Sequence, residues 1–200
     1  MRSAPEQAVT SFEPDQVVAE WFLRLAVDHP VLVDVGEVLA FTLHPWVFRV
    51  AVAGAAVVAY RRGRRRAALV AGLTMAGGGL LGLALKLTFR RPRPSWADPV
   101  AAELGYSMPS GHALNAALGC ALLLGLAWPW LRLHGRTGLA VTAAVVVVGA
   151  AMLDRMVLGV HYLSDVLAGA SLGAALAVAA AWWWSRHPER VPDRTGTRDG

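Results

Sequence analysis

The stretch DRMVLGVHYLSD, Asp154 to Asp165, places two carboxylates, an arginine and a histidine between two apolar runs, 138–153 and 166–184. Each run approaches the roughly 20 residues that a helix needs to cross a bilayer. Charged side chains beside or inside such segments are costly, so they usually face the interior of a helix bundle and mark a functional site. The stretch therefore predicts membrane-spanning helices with a polar site between two of them.

The rest of the chain repeats this pattern. Further apolar runs occupy 45–60, 67–89 and 113–131, and 56% of the 200 residues are hydrophobic, well above the average of soluble proteins. Small residues recur at four-residue spacing, as in Gly169-xxx-Gly173, which lets helices approach closely in lipid. We therefore predict one domain that is an all-α, polytopic transmembrane helix bundle of five to six spans.

The first 44 residues are less regular. The segment DQVVAEWFLRLAVD, 15–28, has apolar residues at helical spacing between charges, which favours a helix at the membrane surface. The segment VLVDVGEVLAFTLH, 31–44, carries two acidic residues and fits a sixth span, a re-entrant segment or an interfacial helix. The polar start has no apolar core after a basic region, so no signal peptide is expected.

These patterns divide the chain into three parts. We predict an N-terminal polar and interfacial segment, 1–30, and a membrane-embedded domain, 31–185. The C-terminal tail, 186–200, is charged and contains several prolines and glycines, so it is expected to be disordered.

The basic residues orient the bundle. RRGRRR, 61–66, is the densest basic loop, and we assign it to the cytoplasmic side as a topology determinant rather than a nucleic-acid site. Counting spans then places 90–112 and 154–165 on the extracytoplasmic face. The first of these begins within the strongly basic stretch KLTFRRPRP, 86–94, so its outer placement contradicts the charge rule. This exception suggests that its cations have a function.

His161 and Asp165 form the first candidate catalytic pair. They are four residues apart, and if a helix begins near Gly159 they share one face, so the carboxylate accepts a hydrogen bond from the imidazole. Such a partner fixes the tautomer and raises the basicity of the other ring nitrogen, which suits a nucleophile or general base.

PSGH, 109–112, supplies a second histidine at the start of a helix. Pro109 and Ser110 fit the first turn, whose free backbone N–H groups attract anions, and His112 is expected to point into that anion site. Three cations are available nearby to bind phosphate oxygens: Lys86, Arg93 and Arg155. Two histidines, one carboxylate, these cations and a helix N-terminus together suit phosphoryl transfer.

The three clusters resemble the signature of the type 2 phosphatidic acid phosphatase (PAP2) superfamily, which reads Lys-x6-Arg-Pro, Pro-Ser-Gly-His and Ser-Arg-x5-His-x3-Asp. The matching stretches are Lys86-LTFRRP-Arg93-Pro94, Pro109-Ser110-Gly111-His112 and Arg155-MVLGV-His161-YLS-Asp165. One position departs from the signature, because Asp154 stands where the family usually has serine. A carboxylate there either repels phosphate, if it faces the site, or orients Arg155 from behind.

The resemblance implies a fold and a set of roles. The fold would be the helical core shared with acid phosphatases and vanadium haloperoxidases, in the membrane-embedded lipid phosphatase branch. His161 would be the nucleophile that forms a phosphohistidine, Asp165 its orienting partner and His112 the general acid. Phosphate binding would fall to Lys86, Arg93, Ser110, Gly111 and Arg155. No metal or other cofactor is expected, and the sequence has no cluster of carboxylates or cysteines suited to a metal.

The implied function is that of an integral membrane phosphatase acting on a lipid phosphate or pyrophosphate at the outer face of a bacterial-type cell membrane. Undecaprenyl pyrophosphate, phosphatidylglycerol phosphate and phosphatidic acid are all candidate substrates. Two alternatives stay open. One is a non-catalytic membrane protein that binds or transports anionic lipids, to which Asp154 gives some weight. The other is a phosphotransferase to an alcohol acceptor. No nucleic-acid partner is expected, and the oligomeric state is open.

Polar and aromatic residues outside the clusters have simpler interpretations. Cys120 lies in an apolar run and is expected to pack there. Asn115, one helical turn after His112, is a candidate for a hydrogen bond behind the site, and Trp96 for a contact with a lipid tail or a cap over the site. The remaining histidines are expected to be structural or solvated: His29, His44, His134 and His187. Tryptophans near the cytoplasmic ends of the spans fit an aromatic belt.

Overall fold

The computed structural model describes residues 13–186, which form seven α-helices. The helices are α1 (Glu13–Asp28), α2 (Pro30–Thr42), α3 (Pro45–Arg61), α4 (Arg65–Phe89), α5 (Gly111–Leu133), α6 (Thr137–Val157) and α7 (Leu163–Arg186). The predictions for residues 1–12 and for the tail residues 187–200, with His187, lie outside the described residues. Arg186, assigned to the tail from the sequence, is the last residue of α7.

Five stretches of the described chain are long and apolar enough to cross a membrane. They are Pro30–Arg61, which comprises α2 and α3, and the four helices α4, α5, α6 and α7. Together they contain all five apolar runs that the sequence marks as spans. The prediction of an all-α multi-span bundle is therefore confirmed, and the chain is a multi-pass membrane protein.

The helix α2 accounts for the ambiguous segment 31–44. Its 13 residues rise about 20 Å at 1.5 Å per residue, less than the roughly 30 Å of a bilayer core. The helix stops before Leu43, and α3 starts afresh at Pro45, where a proline fits a first turn. Gly36 lies directly against the side chain of Leu158 at the end of α6. Thus α2 adds no sixth crossing and packs against α6 instead.

The predicted amphipathic segment 15–28 is the helix α1. It buries Asp15, Ala19 and Ala26, and its Val18 and Phe22 pack with buried residues of the neighbouring helices, Ala113, Met156 and Val166. The helix therefore docks on the bundle through one face. Its position at a membrane surface stays a prediction.

The central helix of the bundle is α5, which packs against α3, α4, α6 and α7. Its Leu114 and Leu118 are fully buried, while α4 and α6 expose large apolar side chains such as Leu73 and Val145. A helix that is apolar on both its inner and outer faces suits a bundle surrounded by lipid. Cys120 packs at the edge of the same core, as expected.

Glycines allow α7 to lie directly on α5. A Cβ atom at Gly169 would stand 2.4 Å from the backbone oxygen of Ser110, and one at Gly173 would stand 2.6 Å from that of Leu114. The Gly169-xxx-Gly173 prediction of close helix approach is confirmed. Because Ser110 belongs to PSGH and α7 carries Asp165, this contact fixes the distance between two of the three signature clusters.

We expect Gly169→Ala to destabilise the protein, because the new methyl group meets backbone that cannot yield without separating α5 from α7. Overpacking of this kind costs about 1–3 kcal/mol, which corresponds to a fall of about 3–10 °C in the apparent Tm for a chain of this size. The matched control is Gly149→Ala in α6, where a Cβ would meet nothing within 4 Å. Thermal melts in detergent measure both, and equal Tm values would contradict the close packing.

The two ends of the bundle differ in composition. One end joins α3 to α4 and α5 to α6, and it carries the RRGRRR loop and the clustered tryptophans. Arg64 donates to the carbonyl of Leu126 at 2.7 Å and lies over the ring of Trp184. The other end, called the site end below, is formed by the C-termini of α4 and α6 and the N-termini of α5 and α7. All three signature clusters lie there.

Candidate active site

The loop 90–110 is the first component of the site. Prolines 92 and 94 stop α4, and Arg90 turns the chain with a left-handed φ of 47°. The loop has no regular secondary structure but is fastened at several points: Ser107 N–H donates to the Arg91 carbonyl at 2.9 Å, and Lys86 Nζ donates to the Tyr106 carbonyl at 2.6 Å. Trp96 donates to the Gly159 carbonyl at 2.9 Å. Trp96 therefore ties the loop to the α6–α7 turn.

His161 lies in the turn between α6 and α7. Gly159, with φ +65°, reverses the chain after α6, and α7 begins at Leu163 rather than near Gly159. The prediction that His161 and Asp165 share a helical face is therefore wrong. Their contact has another cause: Asp165 accepts the backbone N–H of Tyr162 at 2.9 Å, as an acidic residue in a first helical turn does when it caps the helix.

The partners of His161 define its tautomer. An arginine can only donate, so the 3.0 Å contact from Arg93 Nη1 to His161 Nε2 requires a lone pair on Nε2. The proton then sits on Nδ1, which donates to Asp165 Oδ2 at 3.4 Å. Burial and the Arg93 cation lower the pKa of His161, although Asp165 acts in the opposite sense. The ring therefore favours its neutral form, with the lone pair on Nε2.

Arg93 connects the first cluster to the third. It donates to the carbonyl of Val160 at 2.9 Å as well as to His161. Burial lowers the pKa of Arg93, and the carboxylate of Glu103 opposes this by an ion pair of 3.2 Å. Lys86, at the end of α4, interacts electrostatically with Arg93 and Glu103. Its Nζ donates to the Tyr106 carbonyl in the loop.

PSGH supplies the second cluster. Ser110 N–H donates to the Asp165 carbonyl at 2.9 Å, which joins this cluster to the third. The helix α5 begins at Gly111, so Pro109 and Ser110 precede the first turn rather than forming it, and Ser110 is the N-cap. Its side chain makes no cap hydrogen bond. The Ser110 hydroxyl is consequently available to a ligand at the helix N-terminus.

His112 is buried at the start of α5. Its Nε2 donates to the carbonyl of Ala40 in α2 at 3.3 Å, which places a proton on that nitrogen. Its ring also packs edge-on against His44, with centroids 5.4 Å apart. His44 accepts the backbone N–H of Trp46 and so caps α3. A structural role for His44 agrees with its sequence interpretation, but its contact with His112 had no sequence signal.

Asn115 makes the hydrogen bond anticipated for it. It donates to the Gly111 carbonyl at 2.7 Å and accepts from Arg49 Nε at 3.0 Å. Arg49 in turn lies over the ring of Trp46. The first turn of α5 is thereby tied to α3.

Arg155 and Asp154 form a buried pair. Arg155 Nε donates to Asp154 Oδ1 at 3.1 Å, and Arg155 Nη1 lies 3.5 Å from Glu103 Oε2. Of the two roles open to Asp154, the geometry matches the one that orients Arg155. Among the described residues, the buried side-chain atoms without a hydrogen-bond partner are Ser110 Oγ, Asp154 Oδ2 and Arg155 Nη2. Two of these three belong to predicted phosphate ligands.

Glu103 was not identified from the sequence. Its carboxylate pairs with both Arg93 and Arg155, the two guanidinium groups assigned to phosphate. Burial alone would raise the pKa of Glu103, but the nearby cations outweigh it and lower the pKa, so the group is ionised at neutral pH. An anion therefore already lies between the two arginines. An acidic residue in a loop that carries three arginines was the available signal.

Two further residues, Asp15 and Arg91, were also missed. Arg91 donates to Asp165 Oδ1 at 2.8 Å and to Asp15 Oδ2 at 2.7 Å. Arg91 lies inside the quoted basic stretch, whereas Asp15 is far away in sequence and has no motif. Among residues 13–186, no group of three or more His, Cys, Asp or Glu side chains is arranged to hold a metal ion. Independence from metal stays a prediction.

The chain is similar to known proteins in both sequence and fold. A sequence model of the PAP2 superfamily matches residues 67–189, more than half of the chain and all three clusters. The chain belongs to the PAP2 superfamily. Its fold is similar to a solved structure, a transmembrane PAP2 type phosphatidylglycerolphosphate phosphatase from Bacillus subtilis, with a TM-score of 0.78 over 93% of this chain and 90% of that one at 24% identity.

Curated relatives are more similar in sequence but over shorter segments. The chain is 39% identical over 101 residues to phosphatidylglycerophosphatase B of Bacillus subtilis, which covers 48% of either protein. It is 38% identical over 116 residues to decaprenylphosphoryl-5-phosphoribose phosphatase of Mycobacterium tuberculosis, 56% of this chain and 59% of the relative. These alignments span about half the length of each relative. They support the family placement, and activity and substrate are inferred below.

Proposed function

We propose that this PAP2 protein is a membrane lipid phosphatase that hydrolyses a phosphomonoester or pyrophosphate through a phosphohistidine. The observation that carries the proposal is the state of His161, with its proton on Nδ1 toward Asp165 and its Nε2 lone pair toward Arg93. Nearby polar atoms of Ser110 and Arg155 are buried without partners. Buried unpaired donors are costly, and phosphate oxygens would satisfy them.

The chemistry proceeds in two steps. In the first, the Nε2 lone pair of His161 forms a bond to phosphorus and the bond from phosphorus to the leaving oxygen breaks. His112, which enters this step as an imidazolium beside the phosphate, gives the leaving oxygen one proton and becomes neutral. In the second, His112 takes a proton from water as the water oxygen bonds to phosphorus, and the P–N bond breaks to return its electron pair to Nε2. Arg93 must leave Nε2 for a phosphate oxygen as the substrate enters.

A groove beside the site suits a lipid tail. It has a volume of about 450 Å³ and is lined by α3, α4 and α5, with Met75, Gly78 and Leu83 along its length and Lys86 and Gly111 at the site end. A mostly apolar channel that ends at cations and a helix N-terminus fits a substrate with a phosphate head and a hydrocarbon tail. The names of the relatives add a lipid-linked sugar phosphate to the candidate substrates.

We place the active site on the extracytoplasmic face. The support is the RRGRRR loop at the opposite end of the bundle, because clustered arginines favour the cytoplasmic side. Substrate would then reach the site from the outer leaflet.

The experiment that tests this function is phosphate release by detergent-purified protein, with chelator and without added metal. The substrates are phosphatidylglycerol phosphate, phosphatidic acid, undecaprenyl pyrophosphate and a polyprenyl-phosphate-linked ribose phosphate. We expect chelator-resistant release, with the ranking of kcat/KM identifying the substrate class. Absence of release from all four would contradict the proposal and turn attention to lipid binding or transport.

Glu103→Gln is expected to strengthen inhibition by inorganic phosphate. The carboxylate competes with phosphate for Arg93 and Arg155, and because it is about one-third exposed its removal should contribute only about 1 kcal/mol, or a fall of about 5-fold in Ki. The matched control is Asp98→Asn, an exposed carboxylate of the same loop. A higher Ki in Glu103→Gln would show that Glu103 assists anion binding.

A further inference from the structure

Asp15 is a buried carboxylate that the proposed mechanism does not use. It lies in the first turn of α1 and is 3% exposed. The helix α1 precedes the residues 67–189 that match the superfamily. Asp15 Oδ1 accepts the backbone N–H of Ser164 at 2.9 Å, and Oδ2 accepts from the Ser164 hydroxyl and from Arg91 Nη2 at 2.7 Å. Each of its oxygens therefore has a fixed partner.

Arg91 bridges two carboxylates. Its Nη2 faces Asp15, while its Nη1 donates to Asp165 Oδ1 at 2.8 Å and to the Ser164 hydroxyl at 2.6 Å. Its guanidinium carbon also lies 4.4 Å from the centre of the Tyr162 ring. A planar guanidinium with partners on both sides is held rigidly. Burial alone would lower the pKa of Arg91, but its carboxylate partners outweigh burial and raise it.

The two oxygens of Asp165 have different partners as a result. Oδ1 accepts from Arg91, and Oδ2 accepts from His161 Nδ1 and from the Tyr162 N–H. Arg91 thus sets the rotation of the carboxylate that directs Oδ2 at His161. By itself, however, this cation would cancel the charge of Asp165, which His161 needs when its ring gains positive charge on bonding to phosphorus.

We propose that Asp15 is a positioning residue for His161, because it holds Arg91 in place and offsets its charge so that the negative charge of Asp165 stays available to the imidazole. Two carboxylates and one guanidinium leave a net charge of −1 beside a ring that becomes positive. The N-terminal helix, outside the segment matched by the superfamily, is then part of the catalytic centre. The role of Asp15 in turnover rests on the proposed function, whereas its effect on the His161 imidazole does not.

Asp15 could instead serve only to attach α1 to the rest of the bundle. The variants below separate this structural role from the positioning of His161. Asp15→Asn keeps the shape of the side chain and removes one acceptor and the charge. The matched control is Glu20→Gln, the corresponding amide substitution on the exposed face of α1, where Glu20 forms an ion pair with Arg24 at 3.1 Å. We expect Asp15→Asn to lower kcat about 30-fold with KM within about 2-fold, as for residues that orient a functional histidine. Glu20→Gln should match wild type.

The second readout is the titration of the His161 ring by NMR of ¹⁵N-histidine protein, with the signal assigned by its loss in His161→Ala. The groups facing His161 are Arg93 and Glu103 from the loop and Asp165 from α7. Loss of the Asp15 charge disfavours the imidazolium, so Asp15→Asn should move the titration to lower pH by about half a unit. Arg91→Gln should move it to higher pH. The double variant should return toward wild type, which loss of a structural attachment cannot produce.

These measurements keep the outcomes apart. Unchanged kcat and unchanged His161 titration in Asp15→Asn, with an active wild type, would overturn the inference alone. A wild type inactive on every lipid would overturn the proposed function, and the titrations would still test the inference without substrate. If Asp15→Asn does not fold, Arg91→Gln decides, because a His161 titration that stays in place or moves to lower pH would overturn the inference.

Discussion

His161→Ala is expected to reduce kcat on the best lipid phosphate by about 10⁴-fold or more, because loss of a nucleophile removes the covalent route and leaves only binding and charge stabilisation. His161 is the group whose Nε2 lone pair faces Arg93, and no other described histidine has an unprotonated nitrogen beside both an arginine and an orienting carboxylate. The measurement is phosphate release under saturating substrate in detergent micelles.

A direct test of the intermediate accompanies this rate. Wild type quenched during turnover of ³²P-labelled substrate should carry label that is stable to alkali and labile to acid, as a P–N bond is, and His161→Ala should carry none. The control is His134→Ala, an exposed histidine at the far end of α5, which should keep wild-type activity and labelling. More than a tenth of wild-type activity in His161→Ala would exclude the phosphohistidine route.

Arg155→Gln should lower kcat/KM by about 10³-fold, which corresponds to about 4 kcal/mol. Arg155 carries a buried Nη2 without a protein partner, and a guanidinium binds phosphate oxygens with paired, charge-assisted hydrogen bonds that strengthen as charge develops. Arg155→Lys should recover only part of this, because an ammonium lacks the planar fork of donors with which Arg155 contacts Asp154 and Glu103 and still presents N–H groups to phosphate. Steady-state kinetics on mixed micelles measure all three proteins.

The charge left behind needs its own control. Arg155→Gln removes the cation from the buried Asp154, which destabilises the fold independently of catalysis. The double variant Asp154→Asn/Arg155→Gln relieves that charge and should melt closer to wild type while staying equally inactive. Arg136→Gln, at the opposite end of α6, should change kcat/KM less than 2-fold. Near-normal kcat/KM in Arg155→Gln would remove Arg155 from the phosphate site.

Most of the fold follows from patterns within single segments. Apolar runs of bilayer length predict the spans α3 to α7, because each helix in lipid must satisfy its own backbone and expose apolar side chains. The glycine spacing in α7 predicts its close contact with α5. The segment 31–44 could not be resolved in this way, since its separation into α2 depends on the break at Leu43 and His44 and on the contact of Gly36 with Leu158.

In the candidate site, the identities of the residues follow from the sequence more readily than their orientations. Spacing within the three clusters is sufficient to single out His161, Asp165 and His112 as candidates, and the resemblance to the family adds the predicted phosphate ligands, whose roles stay predictions. The orientation of each group was less accessible. His161 meets Asp165 through a capped turn and not along a helix face, and Ser110 lies before the first turn of α5. A shift of one helical turn in a boundary reverses such predictions.

Hydropathy, residue type and short spacings are enough to predict the membrane-spanning helical class and to locate the three clusters in the sequence. The position of Glu103 between the two arginines and the reach of Asp15, from α1, to Arg91 beside Asp165 follow only from the packing of the folded chain. Each arrangement depends on a contact between separate segments, from Glu103 to Arg155 in one case and from Asp15 to Arg91, more than 70 residues apart, in the other. Such contacts form only when packing brings the segments together, so no local pattern encodes them.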